Sequence, residues 1–368
     1  MLDKINSSTK GSVRIMMKSI ILCCIVILLS NPTVFSRSII VECEQSIRAI
    51  ATDPNQANVI YAAATHGIYK STDYGSTWKL MNNGYPISIE ALSINSEDSN
   101  LIYAAAKDKI YKSNNGGTTW QLVFTTDLIN KHTSVRYIHA HLAYTYLNSM
   151  IIQNRKDVYA LIGTNIYKSI DNGMNWTVFK QNCSAFAIDV KNPKVFYIGY
   201  FGYNYTYKGI YKSIDSGLTW DRILYTTATI TSLNIDINNS QIIYAGNLGH
   251  GIFRSMDGGK QWHTLQDGLP QHEDILAFTI NPMSSSIIYA GTIMDIYKST
   301  DYGFKWYKSD KGLSTYRVNA LAINFKYSSV IYAGTNVDGI FRSIDGGENW
   351  QPVNTGILCQ GRALLPSK

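Results

Sequence analysis

The residues best suited to chemistry in this chain are aspartates that recur in one short motif. The motif reads Ser-x-Asp-x-Gly-x-x-Trp and first occurs over residues 71–78 as Ser-Thr-Asp-Tyr-Gly-Ser-Thr-Trp. A carboxylate beside a hydroxyl could take part in catalysis, but one identical carboxylate per copy is typical of a turn. The glycine allows a positive φ, and the Asp and Ser oxygens can accept hydrogen bonds from the turn's own amides. We therefore predict that the motif builds the fold, with each Trp packed between neighbouring sheets.

All seven tryptophans of the chain end a copy of this motif, and they are spaced by 42, 56, 44, 42, 44 and 44 residues. A period of about 40–50 residues is typical of propellers, in which each repeat forms one blade. The seven copies predict an all-β fold, a single seven-bladed β-propeller of four-stranded antiparallel blades. The second copy carries Asn115 in place of the aspartate. Because an amide oxygen can also accept hydrogen bonds, we expect that blade to form as well.

The sixth repeat illustrates the strands of one blade. Short alternating runs over 275–280, 287–291, 295–299 and 305–308 are separated by Asn, Pro, Gly and Ser, which are strand and turn signals. In such a blade the loops between strands two and three share one face with the blade-to-blade connections, and the motif turns lie on the opposite face. We expect a ligand site on the loop-bearing face, since loops on a rigid scaffold carry function.

The repeated motif resembles the BNR or Asp-box repeat of sialidases, xyloglucanase-type glycoside hydrolases, the sortilin (Vps10) ectodomain and the photosystem II assembly factor of the Ycf48/HCF136 type. The resemblance covers residues 46 to about 355. The longer phrase Ile-Tyr-Lys-Ser-x-Asp-x-Gly, preceded by Ile-Tyr-Ala-Gly, is closer to the assembly-factor and xyloglucanase branches than to the sialidases. It implies a propeller that is either a binding scaffold or a glycosidase.

The N-terminal segment is predicted to lie outside the propeller. Four basic residues precede an apolar run of ten residues, Ile20 to Leu29, which is too short to span a bilayer and typical of a signal-peptide core. Small residues at 34 and 36 favour cleavage after Ser36. We predict a signal peptide over 1–36, with an uncleaved anchor as the alternative, and a propeller over 37–368 that is secreted or located in the periplasm or cell envelope.

Charge and composition exclude some functions. The net charge of +7 falls to +4 once 1–36 is removed, with 29 basic and 25 acidic residues remaining. This mild balance argues against nucleic-acid binding, which needs a concentrated basic face. We expect no cofactor, no metal, no membrane contact except through an uncleaved N-terminal segment, and a monomer. His139 and His141 would share a strand face, but without a suitably spaced carboxylate we do not predict a metal site.

Three cysteines remain after residue 36, and two of them flank the repeats. Cys43 precedes the first inner strand, and Cys359 stands where an eighth inner strand would begin. In a closed ring these positions should be neighbours, so we predict a Cys43–Cys359 disulfide, which is plausible chemistry for an exported protein. Three unrelated thiols are the alternative. The segment 362–366 faintly resembles an inner strand and leaves open a partial eighth blade or an extra edge strand.

Two irregularities break the symmetry of the repeats and supply candidate binding residues. The first is an aromatic loop in blade 4, which could form a stacking platform for sugar rings or an anchor for a protein; its aromatic residues are Tyr200, Phe201, Tyr203, Tyr205 and Tyr207. Tyrosines that simply pack on each other are the alternative. The second is an insertion within 125–157, where either 135–141 or 150–153 could be the inner strand of blade 3.

Three arginines, Arg48, Arg136 and Arg317, fall near the starts of inner strands. They could line the mouth of the channel and attract an acidic segment or a carboxylate, as the resemblance to the assembly factors implies, or they could be solvated rim residues.

Glycosidases need two carboxyl groups about 5–10 Å apart. The best unrepeated acids, Glu90 and Asp274, fall in blades that are not adjacent, and Asp53, Asp189 and Asp236 are interpreted as turn residues. We therefore name no catalytic residue. We predict a non-catalytic scaffold for a protein or polysaccharide partner, with a glycosidase as the alternative.

Overall fold

The computed structural model describes residues 41–43, 46–81, 88–126, 149–152, 156–200, 208–249, 251–270, 274–313, 317–357 and 361–363, with the backbone alone at 41–43, 149–150, 152 and 361–363. Every regular element in these ranges is a β-strand, and none of them contains a helix long and apolar enough to cross a membrane. Seven sheets each contain four antiparallel strands that pair in chain order. The predicted seven-bladed β-propeller is therefore confirmed.

The first three blades are built from β2 to β13. Blade 1 comprises β2 (Ile47–Thr52), β3 (Ile60–Ala64), β4 (Gly67–Ser71) and β5 (Lys79–Leu80). Blade 2 comprises β6 (Ala91–Ile94), β7 (Ile102–Ala106), β8 (Lys109–Ser113) and β9 (Gln121–Thr125). Blade 3 comprises β10 (Ser149–Ile152), β11 (Val158–Ile162), β12 (Asn165–Ser169) and β13 (Thr177–Lys180).

The other four blades are built from β14 to β29. Blade 4 comprises β14 (Cys183–Ile188), β15 (Phe196–Tyr200), β16 (Gly209–Ser213) and β17 (Asp221–Tyr225). Blade 5 comprises β18 (Ile230–Ile235), β19 (Ile243–Asn247), β20 (Ile252–Ser255) and β21 (His263–Leu265). Blade 6 comprises β22 (Ala277–Ile280), β23 (Ile288–Gly291), β24 (Ile296–Ser299) and β25 (Tyr307–Lys308). Blade 7 comprises β26 (Val318–Ile323), β27 (Ile331–Thr335), β28 (Ile340–Ser343) and β29 (Gln351–Pro352).

The strands at both ends of the array settle one open alternative. β1 (Val41–Cys43) and β30 (Gly361–Ala363) pair with each other in a separate two-stranded sheet. Residues 361–363 therefore pair with β1 and with no strand of a blade, whereas residues 364–366 lie outside the described residues. The side chain of Cys43 and the whole of Cys359 lie outside the described residues, so the disulfide remains a prediction.

The motif turn is held by the hydrogen bonds that its sequence predicts. In blade 1 the Ser71 hydroxyl donates to Asp73 Oδ1 at 2.8 Å and accepts from Gly75 N at 2.8 Å, while Asp73 accepts from Thr77 N at 2.8 Å. In blade 2 Asn115 Oδ1 accepts from Thr119 N at the same 2.8 Å, so the amide does replace the carboxylate. The side-chain oxygen of the Asp or Asn thus accepts hydrogen bonds from its own turn, which confirms the structural interpretation of the motif.

The motif turns of blades 1, 2, 3, 5, 6 and 7 also accept hydrogen bonds from the blade before them. Tyr61 Oη and Lys70 Nζ of blade 1 both donate to the Gly116 carbonyl in the motif turn of blade 2, at 2.9 and 3.1 Å. Burial raises the pKa of Tyr61, which keeps the phenol protonated and able to donate. Because these side chains come from the repeated Ile-Tyr-Ala and Tyr-Lys-Ser phrases, the repeat encodes its own contact with the next blade.

The same contact closes the ring between blades 7 and 1. Tyr332 Oη and Arg342 Nη1 of blade 7 both donate to the Tyr74 carbonyl, at 3.0 and 2.6 Å. Trp78 of blade 1 packs among buried residues of blade 7 and donates its indole N–H to the Val353 carbonyl at 2.8 Å. The ring is therefore closed by the interactions that join consecutive blades elsewhere.

Candidate functional site

The two faces of the ring follow from the direction of the strands. The turn between the first two strands of a blade bonds to the motif turn of the same blade, as in the hydrogen bond from Tyr74 N to the Asn58 carbonyl. We call the side that carries both turns the motif face. The loop face lies opposite and carries the starts of the inner strands, the turns between strands two and three, and the blade-to-blade connections.

Acids at the motif-face ends of the inner strands are turn residues, as predicted. Asp53 Oδ1 accepts from Asn55 N at 2.9 Å, and Asp189 and Asp236 accept from the amides two residues further on. These carboxylates are buried, and they hold the chain where it reverses. A catalytic role for them is therefore not supported by their surroundings.

A β-bulge recurs at the loop-face end of the inner strands. The register shifts between Ile47 and Ala49 in blade 1, and the same shift occurs in blades 4, 5 and 7. A bulge leaves one residue outside the ladder and re-aims its side chain, and bulges are enriched beside functional sites. The bulged residues are Arg48, Ser184, Thr231 and Asn319.

We call these four residues and Glu90, which stands at the corresponding position of blade 2, the mouth ring. Some of these side chains donate hydrogen bonds to backbone carbonyls. Thr231 Oγ1 donates to the Ile275 carbonyl of the next blade at 2.9 Å, and Ser184 Oγ donates to the Gly199 carbonyl of its own blade at 3.3 Å. The position therefore differs in chemistry from blade to blade, whereas the Ser, Gly and Trp of the motif are the same in every copy.

Arg48, a predicted binding residue, is paired with an acid. Its Nη1 lies 3.5 Å from Glu90 Oε1, and the side chains are 19 % and 4 % exposed. The half-buried Arg48 guanidinium therefore neutralises the Glu90 carboxylate, one of the two unrepeated acids that the sequence offered for glycosidase chemistry. This arrangement is suited to a permanent ion pair at the mouth of the channel more than to a proton-transferring acid.

Arg317, in the connection before β26, is joined to the same corner of the ring. Its Nε donates to Asn319 Oδ1 at 3.2 Å, and Asn319 Nδ2 donates to the Ile47 carbonyl of blade 1 at 3.2 Å. Arg317 has a φ of 66°, a left-handed conformation that costs energy in a residue with a Cβ. Two of the three predicted arginines thus lie in adjacent blades and are connected through one asparagine.

Of the five aromatic candidates in the blade 4 loop, the structure describes only Tyr200. Tyr200 ends β15 and packs on Tyr211 with ring centroids 5.4 Å apart, while its hydroxyl accepts from Asn182 Nδ2 at 3.5 Å. The other aromatic residues of the loop, Phe201, Tyr203, Tyr205 and Tyr207, lie outside the described residues.

The structure decides between the two candidates for the inner strand of blade 3. The inner strand of blade 3 is β10 at Ser149–Ile152, so the candidate at 150–153 was the right one. Arg136, His139 and His141 fall within residues 127–148, which lie outside the described residues, so the role of Arg136 remains a prediction. Among the residues the structure does describe, no group of three or more His, Cys, Asp or Glu could hold a metal ion.

Sequence reasoning missed Ser184, Thr231 and Asn319, although a signal was available. When the repeats are aligned, each of these residues directly precedes the small residue that pairs with the Ala or Gly of the second strand, as in Ala320 opposite Gly334. A position that varies while its neighbours repeat is a candidate for function in a repeat protein.

This geometry defines a seven-bladed β-propeller with a polar channel mouth, and known structures share that fold. No protein-family model and no curated protein matches the chain. The GH74 xyloglucanase from Xanthomonas campestris is 14 % identical with a TM-score of 0.69, over 87 % of this chain and 56 % of that one. The chain therefore spans little more than half the length of that enzyme.

Three other similar structures are not described as glycosidases. Ycf48 from Cyanidioschyzon merolae is 13 % identical with a TM-score of 0.61, over 83 % of this chain and 97 % of that one, and a second Ycf48 structure, bound to D1 peptide, has a TM-score of 0.59 with 12 % identity over 82 % and 93 %. The extracellular domain of BT4673 from B. thetaiotaomicron is 14 % identical with a TM-score of 0.61, over 82 % and 38 %. At these identities the likeness establishes the fold alone.

Proposed function

We propose that this protein is an exported, non-catalytic recognition scaffold that binds a protein or glycan partner at its loop face. The observation that carries the proposal is the mouth ring with its neighbour Arg317. Arg48, Thr231 and Asn319 of this ring are half-buried polar residues that differ between blades, and its carboxylate is already paired with Arg48 at 3.5 Å. A rigid ring of this kind can present a patterned surface without moving.

A partner that carries a carboxylate fits this surface best. Arg317 is half-buried and oriented through Asn319, and guanidinium groups bind carboxylates through paired hydrogen bonds. The Ycf48 structures support a peptide as the ligand, because one of them is bound to D1 peptide. Export is supported by the apolar run at 20–29 and by the fold shared with an extracellular domain.

A glycosidase remains the second candidate, and the xyloglucanase fold favours it. Acid–base cleavage would need a second carboxyl group near Glu90. In the mouth ring the described side chains supply one carboxylate, and it is in contact with a cation. Scaffolding therefore agrees better with the chemistry of this surface.

The proposal is tested by binding the full chain to a glycan array and to an array of peptides with acidic, free C-termini. We expect peptides to bind, and we expect Arg317→Ala to weaken binding about tenfold or more, since a hydrogen bond to a charged group contributes about 1.5–3 kcal/mol. Arg222→Ala is the matched control, because it removes the same charge from the outer strand of blade 4. A variant with Tyr203, Tyr205 and Tyr207 changed to Ala tests the aromatic loop.

Each outcome separates the candidates. Binding that Arg317→Ala and Arg222→Ala reduce equally would contradict a loop-face site at the mouth. Glycan binding lost in the tyrosine variant but kept in Arg317→Ala would move the site to the aromatic loop of blade 4. Release of reducing sugar from xyloglucan by the wild type, abolished in Glu90→Gln, would replace the scaffold by the enzyme.

A further inference from the structure

The motif face exposes large apolar side chains at the tips of its turns in blades 3 to 7. They stand directly after the Ser or directly after the Gly of the motif, and Leu218 and Met174 are 84 % and 74 % exposed. The exposed apolar residues of these turns include Ile170, Met174, Ile214, Leu218, Phe304 and Ile344. Apolar side chains held in water at several turn tips point to a surface that meets a partner.

The fold itself does not require apolar residues at these positions. The equivalent positions in blade 1 are Thr72 and Ser76, and those in blade 2 are Asn114 and Thr118. Their motif turns have the same hydrogen bonds as the turns of the other blades. The apolar residues are therefore a property of one arc of the ring and not a consequence of the turn.

The inner turns of blades 4 to 7 each add at least one exposed apolar residue. The residues just after the inner strands include Val190, Ile237, Met283 and Phe325, all exposed on this face. Ile237 and Phe325 also border a cavity of about 420 Å³ at this end of the central channel, whose wall includes Ile50, Ile94 and Ile280. The apolar surface thus extends from the rim of the ring to its axis.

Lysines are interspersed with these apolar tips. Exposed lysines occur in the turns of blades 4 to 7 at Lys191, Lys194, Lys260, Lys305 and Lys326. The aspartates of the motif turns accept backbone N–H groups, as in the bond from Asn349 N to Asp345 Oδ1 at 2.9 Å, and the exposed Glu348 of the blade 7 turn is paired with Lys298 at 3.1 Å. Lysine heads on flexible stems can reach a neighbouring anionic surface.

We infer that the motif face of blades 3 to 7 docks on a lipid bilayer that contains anionic headgroups. Equivalent turns of similar blades stand at similar heights, so the tips form a broad, nearly flat surface rather than a pocket. Separate apolar tips can each enter the boundary between headgroups and acyl chains, while the lysines contact the headgroup charges. This contact does not involve the N-terminal segment 1–36, so it revises the expectation from the sequence that only that segment would meet a membrane.

The variant that tests the inference is Ile214→Thr with Leu218→Ser, which gives blade 4 the two residues that blade 1 carries at these positions. The matched control is Leu122→Ser with Tyr225→Ser, which removes exposed apolar side chains from outer strands. The full chain is titrated with vesicles of phosphatidylcholine alone and of equimolar phosphatidylcholine and phosphatidylglycerol. Binding is followed by co-sedimentation, and thermal melting checks that both variants are folded.

We expect the wild type and the control to bind the mixed vesicles. The blade 4 variant should bind them at least tenfold more weakly, since a buried Leu or Ile contributes about 1.5–3 kcal/mol. Binding to neutral vesicles should be weaker for all three proteins. Equal binding by the blade 4 variant and the control, or no binding by the folded wild type, would overturn the inference.

Amide hydrogen exchange separates this contact from one made by residues 1–36. With mixed vesicles we expect slower exchange in peptides covering 170–176 and 214–220 and unchanged exchange in the loop-face peptide covering 334–340. Vesicle binding without protection of the motif turns would assign the membrane contact to another part of the chain and refute the docking face.

Discussion

Gly356 is the residue at which the closure of the ring can be tested most directly. It has a φ of +90°, and a Cβ added there would lie 2.0 Å from the Trp78 carbonyl oxygen of blade 1. The neighbouring Thr355 carbonyl accepts from Trp78 N at 2.8 Å, and the Val353 carbonyl accepts from the Trp78 indole at 2.8 Å. Gly356→Ala must therefore displace the segment that carries two hydrogen bonds across the seam.

The expected loss of stability has two parts. The left-handed conformation costs a residue with a Cβ about 1–2 kcal/mol. Displacing the segment weakens two hydrogen bonds that each contribute about 0.5–1.5 kcal/mol. We expect Gly356→Ala to lower the free energy of unfolding by about 2–5 kcal/mol. Gly163→Ala is the matched control, because Gly163 has a φ of +61° and no atom within 4 Å of its added Cβ, so it should cost only the conformational part.

The measurement is equilibrium unfolding in urea, followed by tryptophan fluorescence, with and without a reductant. Gly312→Ala provides a second comparison, since its added Cβ would lie 2.2 Å from the Trp350 carbonyl oxygen at the contact between blades 6 and 7. If the seam resembles other blade contacts, Gly312→Ala and Gly356→Ala should lose similar stability. A Gly356→Ala protein no less stable than Gly163→Ala would refute the argument.

Three further predictions concern charge and the chain ends. Asn115→Asp should acquire a carboxyl pKa well below its usual range, as in the motif turns of blades 3, 4 and 7, where hydrogen bonds lower the pKa to about 2. This carboxyl then has a lower pKa in the folded state than in the unfolded state, so the stability that it adds should be present above about pH 4 and lost as the pH falls toward 2. Urea unfolding between pH 2 and 7 measures the free energy of unfolding, and a gain in stability that persists at pH 2 would contradict the prediction. Glu90→Gln should destabilise the fold by about 1–3 kcal/mol, less than for a fully buried pair because Arg48 is partly exposed, and unchanged unfolding would mean that the pair contributes little. Non-reduced peptide mapping should detect one bridged pair, Cys43–Cys359, whereas free thiols at both residues would exclude it.

The fold could be predicted from the sequence because the signal was repeated. Each copy carries the same Ser, Gly and Trp, and the turn that these residues dictate is local, so it does not depend on distant contacts. The strands of the sixth blade also agree to within about two residues, since the expected run at 275–280 corresponds to Ala277–Ile280. Blade 3 was the exception, because its insertion left two candidate strands with similar alternation.

The candidate site could be predicted only in part, because it depends on distances between blades. The sequence singled out Arg48 and Glu90 separately, but their 3.5 Å contact joins residues of different repeats. Asn319 was missed because its signal appears only when the repeats are aligned, and its importance comes from contacts with Arg317 and with blade 1. The bulges at Arg48, Ser184, Thr231 and Asn319 are likewise a matter of register, which alternation does not specify.

The two proposed surfaces make a joint prediction because they lie on opposite faces of one rigid ring. If the motif face docks on a bilayer, the loop face points away from it, and a ligand bound near Arg317 should not compete with lipid. Protein bound to mixed vesicles should therefore bind the selected peptide with the same affinity as protein in solution, as measured by fluorescence anisotropy. A loss of peptide binding on vesicles would mean that both partners use one face, and at least one of the two assignments would then be wrong.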